Sequence, residues 1–128
     1  MASGLRTLLV MLVSILKMKS KAGKKNDAIQ ILESIKEPIL LKTGCEGVQI
    51  YECHGEPNGI LYLEYWSNKE AFHRHIQSDL YLKILNVMEL SLETPQVHFH
   101  EFSGSSGMEL IQSLRKTSEE DTNDFGLK

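Results

Sequence analysis

His75 is the side chain whose type and placement most need a chemical account. Ala71, Phe72, His75 and Ile76 recur at helical spacing, so the imidazole sits on or beside an apolar stripe. A ring without a polar partner is costly there. Glu64 is the nearest carboxylate that could supply one. Tyr62, Glu64 and Trp66 alternate along an apolar, aromatic run and therefore share one strand face. An imidazole titrates near neutrality and can take a proton from a bound molecule. An indole and a phenol beside it can stack on that molecule's ring. The same residues have a plainer reading: Trp66 closes the core beside Phe72, Tyr62 packs the sheet, and His75 bonds a strand carbonyl.

Other polar groups offer less. His98 and His100 are two apart on a strand and share a face, and His54 could join them as metal ligands. A divalent site usually takes at least three protein ligands, so the spacing predicts no metal there. His73 and His75 are also two apart, but on a helix they diverge. Lys17, Lys19, Lys21, Lys24 and Lys25 form a basic run with no interleaved aromatic, which reads as a solvated strand end and loop. The net charge of −3 argues against nucleic-acid binding. Cys45 and Cys53 are the only cysteines. With no evident leader, two thiols suggest a reducing, cytoplasmic setting, where both are small packing residues. The charge-free run from Thr7 to Leu16 is too short to span a bilayer.

The elements that must position these groups follow from periodicity. Leu8 to Met18 reads as a first strand. Asn26 or Asp27 can cap a helix with Ala28, Ile31, Leu32, Ile35 and Ile39 on its apolar face, kinked or ended by Pro38. Val48 to His54 and Ile60 to Trp66 read as strands joined through Asn58-Gly59. Ser67 and Glu70 form a capping box for a helical stretch from Asn68 to about Leu92, broken near Ser78-Asp79. Gln96 to Phe102 is the fourth strand. Strand, helix, strand, strand, helix, strand is the split βαβ order of an α+β, ferredoxin-like fold with an antiparallel sheet. Residues 1–103 then form one domain, 104–116 a linker with a short helix carrying Leu110, Ile111 and Leu114, and 117–128 a polar, disordered tail.

Glu64-x-Trp66, four residues, Ala71, three residues, His75, two residues, Ser78 resembles the antibiotic biosynthesis monooxygenase family. Lys21-Ala22-Gly23-Lys24 stands where that family often carries Lys-Pro-Gly-Lys, with Ala22 in place of the proline. The likeness runs from about Leu8 to Phe102. It implies a homodimeric α+β barrel, in which two bare sheet faces stack. It also implies oxidation of small aromatic or quinol-like compounds by dioxygen, with no metal, flavin or other cofactor. Haem-degrading relatives carry Asn, Trp and His where this chain has Leu16, His75 and Leu85, and leucine cannot ligate iron.

The expected function is therefore a cofactor-independent monooxygenase. His75 and Glu64 would be catalytic, and Trp66, Tyr62, Phe72, Leu16 and Leu85 would bind substrate. The alternative is a non-catalytic dimeric module of the same fold that binds a small ligand or a protein. An isomerase-like proton shuttle at His75 is a third option. No membrane or nucleic-acid partner is expected.

Overall fold

Alternation on the strands and 3.6-residue periodicity on the helices sort the chain into two layers. The computed structural model describes residues 11–125, with side chains described for 11–116. Four strands, β1 (Met11–Lys19), β2 (Cys45–Glu52), β3 (Gly59–Trp66) and β4 (Gln96–Phe102), form one antiparallel sheet in the order β2-β3-β1-β4. Helices α1 (Lys25–Leu40), α2 (Lys69–Ile76) and α3 (Tyr81–Met88) connect them, and α4 (Met108–Phe125) follows β4. This is the expected α+β, ferredoxin-like topology.

The core lies between one sheet face and the helices. Leu12, Leu16 and Met18 of β1 and Ile60, Tyr62, Glu64 and Trp66 of β3 point into it. They meet Ala28, Leu32, Ile35 and Ile39 of α1, Phe72 of α2, and Ile84 and Val87 of α3. The register sets Leu12 beside Trp66, Ser14 beside Glu64 and Leu16 beside Tyr62. The opposite face presents Val13, Ile15, Leu61, Leu63 and Tyr65, all half-buried, with His98 and His100 next to Ile15 and Val13.

Several boundaries differ from the sequence-based expectation. The expected start of β1 at Leu8 lies outside the described residues. Helix α1 begins at Lys25, so Asn26 and Asp27 do not cap it; Lys24 stands at the N-cap without a side-chain bond. Asp27 instead sits in the first turn, favourable near the positive helix end. Pro38 lies in the last turn, where its missing N–H costs one bond to the Ser34 carbonyl, and the helix stops two residues later.

Strand β2 covers Cys45–Glu52, with a bulge between Cys45 and Gly47. Asn58-Gly59 does not make a two-residue turn. The link holds two successive turns, with Glu56 N–H on the Cys53 carbonyl and Gly59 N–H on the Glu56 carbonyl. The positive φ falls at Gly55.

Ser67 is not the cap of α2. Its N–H donates to the Gly44 carbonyl, and Asn68 Oδ1 accepts from Ala71 N–H at 2.8 Å. The expected long helix is two helices, broken at 77–80 as anticipated. Helix α4 continues to Phe125, past Lys116, where the sequence reading ended it. No Gly or Pro interrupts Met108 to Phe125, and polarity alone does not stop a helix.

Candidate functional site

Strand parity aims Tyr62, Glu64 and Trp66 at the same point, and α2 drops His75 onto it. Glu64 is 1% exposed and accepts three hydrogen bonds. Tyr62 OH donates to Oε2 at 2.6 Å and Trp66 Nε1–H to Oε1 at 3.0 Å. His75 Nε2 lies 3.0 Å from Oε2. A carboxylate only accepts, so the network puts the proton of that pair on Nε2. A buried charge of this kind is tolerated when both of its oxygens have donors.

The imidazole is closely packed. Trp66 stacks on it with centroids 4.9 Å apart and planes 28° from parallel. Tyr81 meets it edge-on at 5.2 Å and Phe72 lies at 6.4 Å. His75 itself is 1% exposed. Its free ring nitrogen does not open into the space between sheet and helices. Nδ1 lies 3.0 Å from Lys42 Nζ. Lys42 Nζ also donates to Ser78 Oγ at 2.8 Å, and Ser78 Oγ donates to the His75 carbonyl at 2.6 Å. With Nε2 as donor to Glu64, Nδ1 is the acceptor for Lys42. A continuous chain thus runs from Glu64 through His75 to half-buried Lys42.

Lys42 was missed by sequence reasoning. It lies in the exit from α1, 33 residues before His75, where nothing in the local pattern singles it out. Gly44 seats that exit. Its φ is +92°, and a Cβ there would stand 2.5 Å from Ala71 Cβ, so only glycine lets the loop press against α2.

Burial shapes the electrostatics. The Lys42 ammonium is pulled below its ordinary range by desolvation, an effect that Glu64 opposes. The Tyr62 phenol is pushed up by burial and by the adjacent Glu64 carboxylate. Tyr81 is pushed up to about 12, again by burial first and Glu64 second. Burial likewise raises the Cys45 thiol. Both cysteines are half-buried free thiols.

The structure brings His75, Glu64, Trp66, Tyr62 and Phe72 together, with Leu16 buried beside Tyr62. Leu85 is not with them. It is 43% exposed, because α3 turns Tyr81, Ile84 and Val87 inward instead. The stacked rings of His98 and His100 lie on the outer sheet face. Among the described residues, no three His, Cys, Asp or Glu side chains cluster as metal ligands, and no helix is long and apolar enough to cross a membrane. In the basic run, Lys19, Lys24 and Lys25 pair with Glu56, Asp27 and Glu52.

Comparison with known proteins fits this picture. A conserved protein from Methanosarcina mazei Go1 superposes with a TM-score of 0.66 at 20% identity, over 80% of this chain and 99% of that one. Protein SO0527 from Shewanella oneidensis gives 0.66 at 22% identity, over 72% and 90%. A solved antibiotic biosynthesis monooxygenase gives 0.63 at 12% identity, over 70% and 95%. At those identities the likeness is one of fold. In sequence, the uncharacterized protein sll1783 of Synechocystis sp. (strain ATCC 27184 / PCC 6803 / Kazusa) is 33% identical over 60 residues, 47% of this chain and 41% of that protein. The chain thus matches about two fifths of that relative's length. The family model for antibiotic biosynthesis monooxygenase matches residues 11–86, which takes in β1 through most of α3 and with them the whole Glu64–His75–Lys42 chain; the protein belongs to that family.

Proposed function

We propose that the protein is a cofactor-independent monooxygenase of a small aromatic or quinol-like substrate, working as a homodimer in the cytoplasm. The observation that carries the reading is the proton path from buried Glu64 through His75 to Lys42. A proton arriving at Nδ1 makes an imidazolium whose other N–H already faces the Glu64 carboxylate. The Trp66 face stacked on the ring stabilises the same charge. His75 and Glu64 are therefore built to accept a proton and hold it.

The chemistry needs no further group from the protein. A substrate that loses its proton becomes an electron-rich anion and passes one electron to dioxygen. The radical pair combines to a peroxide. Loss of water then leaves one oxygen atom in the product as a carbonyl, so R2CH2 and O2 give R2CO and H2O. Because Trp66, Phe72 and Tyr81 pack around His75, the proton reaches it through Lys42 rather than from a guest lying against the ring. Trp66, Tyr62, Phe72 and Leu16 then set the environment of the acceptor. Leu85 has no part in it.

Oxygen uptake with a panel of hydroquinones and anthrones tests the reading. Wild type should consume oxygen, and His75→Ala should be slower by about 100-fold or more. Equal inactivity of both proteins on every compound would remove the basis of the proposal. A second reading, a non-catalytic dimeric module, is favoured by the burial of His75 and by the exposed Met108, Leu110, Ile111 and Leu114 of α4. It predicts ligands that raise the melting temperature without turnover.

A further inference from the structure

The outlet of the proton path is an open depression between the α1–β2 connection and α2. Its lining is Leu41, Lys42, Thr43, Ala71, Arg74 and His75, and its volume is about 480 Å³. Two of these residues, Lys42 and Arg74, carry basic side chains, one carries a hydroxyl, and none is a carboxylate. Leu41 stands at the rim with 84% of its surface exposed, an apolar wall beside the two basic side chains. A depression with a basic floor and one greasy edge matches a small amphipathic acid. A guanidinium can hold a carboxylate through two parallel N–H bonds.

Lys42 is arranged to meet such a guest. Two of its nitrogen's tetrahedral directions point inward, to His75 Nδ1 and Ser78 Oγ, and a third is its own carbon stem. The fourth is left for a ligand. In the ammonium form that position donates a hydrogen bond to an anion. In the neutral form it is a lone pair that can take a proton, and desolvation of Lys42 favours that form.

We propose that this depression binds a small aromatic carboxylic acid, with Arg74 holding the carboxylate, Leu41 flanking the ring and Lys42 accepting the proton of a ring hydroxyl. The proton moves from substrate oxygen to Lys42 Nζ, and the Lys42 N–H facing His75 moves to Nδ1. Lys42 is again neutral, and the charge rests on the His75–Glu64 pair. The binding of the acid stands on the depression alone. Its conversion rests on the oxygenase reading given above.

The test uses the full chain with two probes, 2,5-dihydroxybenzoate and hydroquinone, which share a ring and both hydroxyls and differ only in the carboxylate. Affinities are read by calorimetry, and circular dichroism checks that each variant is folded. Wild type should bind the acid about tenfold or more tighter than hydroquinone. Arg74→Met, at an exposed position, should lower the affinity for the acid to about that for hydroquinone. Equal affinity of wild type for both probes, or an Arg74→Met protein that still prefers the acid, overturns the proposal.

Oxygen uptake separates this from the parent reading. Carboxylate-dependent binding without oxygen uptake by any protein sinks the oxygenase and keeps the site. Oxygen uptake that depends on His75, with acid binding and turnover indifferent to Arg74, sinks the site and keeps the oxygenase. If both hold, the wild-type rate with the acid should rise with pH as Lys42 becomes neutral, and Lys42→Met should lose turnover and that rise together while retaining most of the binding.

Discussion

Glu64 carries more hydrogen bonds than any other buried side chain described here, and each comes from a different ring. Glu64→Gln keeps the shape but turns one acceptor into an NH2 group. One of the Tyr62, Trp66 and His75 donors then faces another donor inside the core. The expected loss is about 2–4 kcal/mol, read as a lower urea midpoint with an unchanged slope. Tyr81 gives a prediction in pH. Its folded value, about 12, stands above the ordinary value near 10 of an unfolded tyrosine. The unfolded chain therefore releases this proton first as pH rises. The contribution is complete below about pH 10 and is lost as pH climbs through 12. The stability difference between wild type and Tyr81→Phe should shift against wild type across that window, and comparing the two removes the shared effects of Tyr62, Cys45 and Lys42. Chemical denaturation at pH 8, 10 and 11 measures it.

The residues of this cluster were legible because parity and helical spacing are local rules: Tyr62, Glu64 and Trp66 on one face, His75 on the stripe. Lys42 was not legible, because its contact joins a helix exit to a different helix, and Leu85 was misplaced because the break at 77–80 resets the helical phase.

At the scale of elements, the local signals were right in kind and off by one to three residues wherever another backbone bond competed. The start of α2 is the clearest case. Ser67 and Glu70 satisfy the capping-box pattern, but the Ser67 N–H is already bonded to Gly44 across the sheet edge, which keeps residue 67 with β3. Asn68 takes the cap, with its side chain on Ala71 N–H. Asn68→Ala should therefore cost about 1 kcal/mol, and Ser67→Ala only a few tenths. A capping box would give the reverse order, so a pair of thermal melts decides between them. The same competition explains α1. Its first turn is set by the tight turn at residues 21–24, where Lys24 N–H bonds the Lys21 carbonyl, and not by a polar side chain one turn later. Elements without such competitors, β3 and β4, fall within a residue of the places that alternation gave them.

The whole molecule poses a question that no single element answers. One sheet face is covered by α1, α2 and α3; the other carries Val13, Ile15, Leu61, Leu63 and Tyr65 in a contiguous patch, flanked by Tyr51 at 47% exposure and Phe102 at 37%. Such a patch on a small domain is unstable in water unless something covers it. The proposed cover is the same face of a second copy, since a two-fold axis pairs an apolar patch with itself. Leu63 lies on β3, an inner strand, and its side chain points out of this face, away from the Glu64–His75 pair. In such a pair Leu63→Glu would put a charge into the covered face from each copy, out of water. The monomer's own core is untouched by that change, so the variant should fold, with near-native circular dichroism. Sedimentation velocity at tens of micromolar should find wild type at twice the 14.5 kDa chain mass and Leu63→Glu at the chain mass. A wild type that sediments as a single chain would mean that the patch is covered otherwise or left bare. Because the Glu64–His75–Lys42 hydrogen bonds and the depression beside them lie within one chain, Leu63→Glu should also keep the binding of 2,5-dihydroxybenzoate, and loss of that binding in a folded monomer would show that the depression depends on the partner.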